Sequence, residues 1–320
     1  MSTPPAGTTK KRIFSRNDYL APLPIPTGEK PQDVLNTIWR KNEVFLDIGS
    51  YSVGSAVMVL WSGVMLFLGM AYIFKDPDAL VLGAFIMVIP IFWLVQGLFR
   101  EVPLPVRFNR QRREVCIPRD DGEYWIVPWE TVTAVATQQS SVSQAGKATM
   151  GLLVIGFENP DPLAKEDNKH FSLGFNCGGG TTAMALWECM RSYMEIGPQV
   201  LPITNDFEGG REKLRGRSVF FGVCCAYLDG IRQHLVAQEV GKAAWLVIGA
   251  VLLGAPLAMM LQDWKLSPPP DLPYPDITEW SKPLPPEQWV KRSPELEEAI
   301  AKREAELAAQ AEQALLMGQS

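Results

Sequence analysis

Two apolar runs, Ser50 to Phe74 and Ala79 to Phe99, are separated only by Lys75-Asp76-Pro77-Asp78, and neither contains a charged residue. As helices rising about 1.5 Å per residue, each is long enough to cross a hydrocarbon core about 30 Å thick. A soluble core would need a further layer to cover helices that are apolar on every side. The pattern therefore predicts an integral membrane protein built on a transmembrane hairpin. Four linking residues cannot carry the chain back across a bilayer, so the segments before and after the hairpin share one face.

The basic residues choose that face. Lys30, Arg40 and Lys41 precede the hairpin, and Arg100, Arg107, Arg110, Arg112 and Arg113 follow it, whereas the turn offers one lysine against two aspartates. The positive-inside rule places both ends in the cytoplasm. Glycines at Gly54, Gly63 and Gly69 in the first helix and at Gly83 and Gly97 in the second allow close helix approach. A third charge-free run, Ala243 to Gln262, is also long enough to span, with a small-residue row of Ala250, Gly254 and Ala258. Three crossings predict a periplasmic C-terminal tail.

Around these spans the chain divides into an N-terminal arm with an interfacial helix (1–49, the helix beginning near Asp33 and carrying Trp39), the hairpin (50–99) and a cytoplasmic domain (100–200). A basic loop and amphipathic helix (201–242), the third span (243–262) and a Pro-rich linker with a charged helix (263–320) complete it. Pro22, Pro24 and Pro26 set an extended segment expected to lie against another part of the protein.

Within 100–200, short apolar runs punctuated by turns predict strands at 105–109, 114–118, 124–129, 131–137, 151–158 and 169–175. An amphipathic helix follows from Thr181 to Ile196. Six or seven strands closed by one helix is the order of a pleckstrin-homology-like (PH-like) barrel, which makes the fold class α+β. The segments RFNRQRREV (107–115) and VPWETV (127–132) sharpen this, because they resemble the opening of bacterial membrane-anchored PH-like domains. Together with the hairpin and the third span, they resemble a family of uncharacterised proteobacterial membrane proteins often encoded beside type VI secretion effectors. That resemblance implies an inner-membrane immunity protein, with a pore-forming or membrane-depolarising toxin as cognate partner. The alternative is a membrane-anchored adaptor or scaffold that holds a cytoplasmic protein or an anionic lipid.

Composition bears on chemistry mainly by what it withholds. The net charge of −5 resides in the tail, which from Asp263 onward holds 6 basic and 11 acidic residues. Without a strongly basic domain, a nucleic-acid partner is disfavoured. Two distant histidines and five cysteines without C-x-x-C spacing offer little for a metal site or a His-centred triad, so neither enzyme activity nor a cofactor is expected. Residues 141–148 lack the first glycine and the hydroxyl of a phosphate-binding loop. The polar cluster that stands out is Arg107, Arg110, Arg112 and Arg113, just beyond a membrane exit. Anionic headgroups attract basic residues there, which makes the four arginines candidates for topological anchoring or lipid recognition.

Overall fold

Alternation of apolar residues along 106–158 produces strands in the computed structural model, which describes residues 4–33, 37–51, 53–143, 146–179, 181–201, 219–266 and 268–318. Among the described residues, ten strands form two antiparallel sheets. The first joins β1 (Thr9–Lys11), β2 (Ser15–Ala21), β8 (Thr133–Ser143), β9 (Gly146–Glu158) and β10 (His170–Gly178), in that spatial order. The second runs β3 (Ile38–Lys41), β4 (Phe45–Ile48), β5 (Val106–Asn109), β6 (Glu114–Pro118) and β7 (Tyr124–Pro128). All six strands expected between 105 and 175 are present. They belong to separate sheets, and no closed barrel is seen among the described residues.

The chain divides into two units. One takes residues 1–50, 104–206 and 271–320; the other takes 51–103 and 207–270. The first unit is centred on the inward faces of both sheets and α3 (Thr182–Glu195), where Leu46, Phe108, Ile117, Trp129, Leu153, Ile155, Trp187 and Tyr193 are all fully buried. Trp129 stacks on Trp187 at a centroid distance of 5.3 Å.

The N-terminal residues differ from expectation. Instead of forming an interfacial helix, Ile38 to Lys41 pair with β4, and Trp39 is buried against Gly49 rather than placed at a membrane surface. Val34 and Leu35, which motivated that helix, lie outside the described residues. The arm before it supplies β1 and β2. Its proline segment then runs along α3: Thr27 donates from its N–H and Oγ1 to Glu188, and the Gln32 N–H donates to the Ala185 carbonyl.

The tail also belongs to the sheet-bearing unit. Leu272, Ile277 and Trp280 cover the outer face of the second sheet over Cys116, with α7 (Pro275–Trp280) lying on it. From Pro294 a long helix, α8 (Pro294–Gly318), buries Leu296 and Ile300. The Ser293 hydroxyl caps it by accepting the Leu296 N–H at 3.2 Å.

The second unit contains α1 (Gly54–Phe74) and α2 (Asp78–Phe99), both long and apolar enough to cross a membrane. The expected basic loop, Asn205 to Arg217, lies outside the described residues. The expected amphipathic helix is α4 (Val219–Val236). The expected third span is broken into α5 (Val240–Val251) and α6 (Ala255–Lys265), bent by 63°. Gly254 adopts a left-handed conformation at the break, φ 63°, where a Cβ would fall 2.5 Å from Cγ of Trp61. Glycine alone suits both demands.

Candidate functional site

The arginine-rich turn between β5 and β6 was the polar feature singled out by sequence, and the fold directs it inward. Alternation in β5 points Val106 and Phe108 to the core and Arg107 and Asn109 to the opposite face, yet all four are buried because the tail covers that face. Arg107 lies directly opposite Asp47 of β4. Its Nε and Nη2 donate to the two Asp47 oxygens at 2.6 and 2.7 Å; Nη2 also reaches Asp271 at 2.7 Å, and Nη1 reaches the Ser281 hydroxyl at 3.0 Å. The guanidinium sits 3.9 Å from the Phe45 ring centroid. Burial pushes the Asp47 carboxyl up, against the opposing pull of Arg107. For the exposed Asp271, partial desolvation also pushes upward, but the hydrogen bond and charge of Arg107 outweigh it and hold the carboxyl below its usual range.

Turn chemistry explains the next residues. The Asn109 Oδ1 accepts the N–H groups of Gln111 and Arg112, and Arg113 ends the turn with a positive φ of 52°. This directs Arg113 into a buried network. Its Nη2 donates to Glu130 at 3.0 Å and to Glu195 at 2.9 Å, and Glu195 also accepts from the Trp129 indole at 2.8 Å and from Arg292 Nε at 2.6 Å. Arg110 donates to the Ile196 carbonyl and lies over Trp289, while Arg112 donates to the Trp280 carbonyl at 3.0 Å. Gln111 exchanges two bonds with the tail, accepting Leu284 N–H at its side chain and Val290 N–H at its carbonyl. Each of the four arginines thus bonds inside this unit, and Arg107, Arg112 and the Arg113 network hold the tail. The partners of Arg107 lie 60 and 164 residues away, so sequence spacing gave no sign of them.

The small residues of the second unit separate into occupied and open positions. A Cβ at Gly63 would meet Met87 at 2.6 Å and one at Gly83 would meet Phe67 at 2.5 Å, so these two glycines close the α1–α2 contact. Gly54 faces Ala258. Around Gly69 and Gly97 there is open space within 4 Å. The row Ala250, Gly254 and Ala258 is not a continuous face, because the break at Gly254 assigns Ala250 to α5 and Ala258 to α6. That break is supported by α1: the Trp61 indole donates to the Val251 carbonyl at 2.8 Å and the Ser62 hydroxyl to the Leu252 carbonyl at 3.2 Å. In a low-dielectric setting such interrupted backbone must be bonded internally.

Glu188, buried in α3, receives Arg191, Ser192 and Thr27. Burial pushes the Cys116 and Cys189 thiols up to about 12 and the Cys177 thiol up to about 11. Among the described residues no group of three or more histidine, cysteine or acidic side chains has metal-site geometry. No protein-family model matches the chain, and neither a curated protein nor a solved structure matches it.

Proposed function

We propose that this chain is a membrane-anchored binding protein and, as the family resemblance implies, an inner-membrane immunity protein whose partner is a pore-forming or membrane-depolarising type VI effector. The observation that carries the reading is the division of the helix surfaces. Gly63 and Gly83 are filled by Met87 and Phe67 and fix the hairpin, whereas Gly69 and Gly97 stand open on helices that expose Tyr72, Phe85, Phe92 and Trp93. Such open small-residue positions suit lateral contact with the helices of an inserting toxin and obstruction of pore assembly. Competition against cells delivering the neighbouring effector tests this. Deletion of the gene is expected to sensitise the cell, and Gly69→Leu together with Gly97→Leu is expected to reduce protection without lowering the amount of protein. Unchanged survival of the deletion strain removes the proposal.

A second reading, an adaptor built on a PH-like domain, is favoured by strand order. The meander β4 to β7, the hairpin-linked β8 to β10 and the closing α3 follow one another as four strands, three strands and a helix, with α1 and α2 inserted between β4 and β5. Since the arginines of the β5–β6 turn are engaged internally, this reading looks to a protein ligand of the sheets rather than to headgroup binding by that turn.

For topology, we infer that the N-terminal strands, the sheets and the tail share the cytoplasmic side. The ion pair of Asp271 with Arg107 and that of Arg292 with Glu195 join the tail to residues on the same side as the sheets. In the helical unit α6 runs antiparallel to α1: Gln262 meets Val53, and Leu252 meets Ser62. It runs back toward the end of the helical unit where α1 starts, which supports a reading in which residues 219–266 leave on that face, as a full hairpin or as a re-entrant one. A tail carried outward by a third span is replaced in this reading by a tail retained beside the sheets.

A further inference from the structure

Hairpin β1–β2 ends in a tight turn, in which the Arg12 N–H donates to the Ser15 carbonyl at 2.7 Å and Ile13 and Phe14 occupy the tip. Ile13 is 91% exposed and Phe14 63% exposed. The sequence around them is Lys10-Lys11-Arg12-Ile13-Phe14-Ser15-Arg16. Arg16 pairs with Asp18, but among the described residues no carboxylate pairs with Lys10, Lys11 or Arg12. Two apolar side chains thus project from a hydrogen-bonded turn flanked by basic residues, of which Lys10 lies 5.3 Å from the Tyr19 ring centroid. Another exposed apolar residue, Leu163 at 90%, lies in a loop of mixed charge with Asp161, Lys165, Glu166, Asp167 and Lys169, without a cluster of cations lacking carboxylate partners.

We propose that the β1–β2 tip is a membrane-contacting element: Ile13 and Phe14 enter the headgroup region of an anionic bilayer while Lys10, Lys11 and Arg12 engage its lipid phosphates. Charge complementarity selects this occupant, because an apolar protein groove would not call for three cations without carboxylate partners, whereas an anionic leaflet attracts each of them. Chain connectivity supplies proximity. The sheet-bearing unit is joined to the apolar helices at residues 50–51 and 103–104, so contact is intramolecular and needs little intrinsic affinity. The tip would thereby add a second attachment to the bilayer, one governed by lipid charge. It depends on membrane residence and not on the identity of any toxin.

Photocrosslinking in the full chain tests this. Benzoylphenylalanine replaces Phe14, and separately Leu163, in nanodiscs of neutral phosphatidylcholine with or without phosphatidylglycerol, and adducts are identified by mass spectrometry. Position 14 is expected to give lipid adducts in the anionic discs. Their yield should fall about tenfold in neutral discs or on combining Lys10→Glu with Lys11→Glu, in keeping with the loss of a few favourable charge contacts. Position 163 should give at least about tenfold fewer lipid adducts than position 14. Adducts at position 14 confined to protein, including a second copy of the chain, overturn the proposal, as does a lipid yield that is equal in neutral and anionic discs.

Discussion

Arg113 illustrates how little an arginine's chemistry follows from its neighbours in sequence. Its neighbours suggest a solvated basic cluster, whereas its side chain is 7% exposed and closes a network with Glu130, Glu195 and, through Glu195, Arg292 and Trp129. Removing Arg113 takes a charged donor from the buried Glu195, which keeps Arg292 and the Trp129 indole, and from Glu130, which keeps the Ser293 N–H, and such a loss costs about 1–3 kcal/mol. Arg113→Ala is therefore expected to lower the stability of the sheet-bearing unit by about that amount in chemical unfolding. Lys10→Ala, at an exposed site, should change it by less than about 0.5 kcal/mol. The cysteines provide a second residue-scale check. With thiols raised by burial to about 12, about 11 and about 12, Cys116, Cys177 and Cys189 should resist alkylation at pH 8 in the native protein and react once it is unfolded. Modification of the native chain at any of the three would contradict the packing described.

At the scale of elements, periodicity was legible where it was long. The two apolar helices, the strands from β5 to β10 and α3 could be read because their apolar spacing recurs over several residues and turns separate them. Strands β1 to β4 could not: Ser15-Arg-Asn-Asp-Tyr-Leu-Ala carries polar residues on most of its length, and β3 and β4 are four residues each. The break between α5 and α6 did leave a signal, since Gly254-Ala255-Pro256 combines a left-handed glycine with a proline suited to a helix start, but continuous hydrophobicity masked it. The tail contact adds a pH dependence. At Glu130, burial pushes the carboxyl up, but hydrogen bonds from Ser293 and the charge of Arg113 outweigh it and leave it below its usual value. A carboxyl lowered on folding stabilises the fold above its unfolded value, and that contribution is lost as pH falls through the lower folded value. Hydrogen-exchange protection of the segment around Ser293, corrected for the intrinsic rate at each pH, is expected to hold at neutral pH and to be lost only on acidification below the ordinary carboxylate range, as Glu130 protonates. The opposite trend, with protection gained on acidification, would show that the carboxylate does not hold this helix start.

For the whole molecule, the two units interleave along the chain, so the element that looked like an appendage, residues 271–318, completes the unit that begins at the N-terminus. The positions of the candidate arginines were legible, and their roles were not, because Asp271, Trp280 and Arg292 return to them from more than 160 residues downstream in the first two cases and from another element's buried Glu195 in the third. Two helices are long and apolar enough to cross a membrane, and the tail clasps the sheet-bearing unit; the proposed topology rests on these two observations. Protease protection of a tag at the C-terminus, compared with a tag in the loop between β9 and β10, tests this central claim most directly. In right-side-out membrane vesicles both tags are expected to be protected, and in inverted vesicles both should be cleaved. A C-terminal tag cleaved from the periplasmic side while the loop tag remains protected would contradict the account.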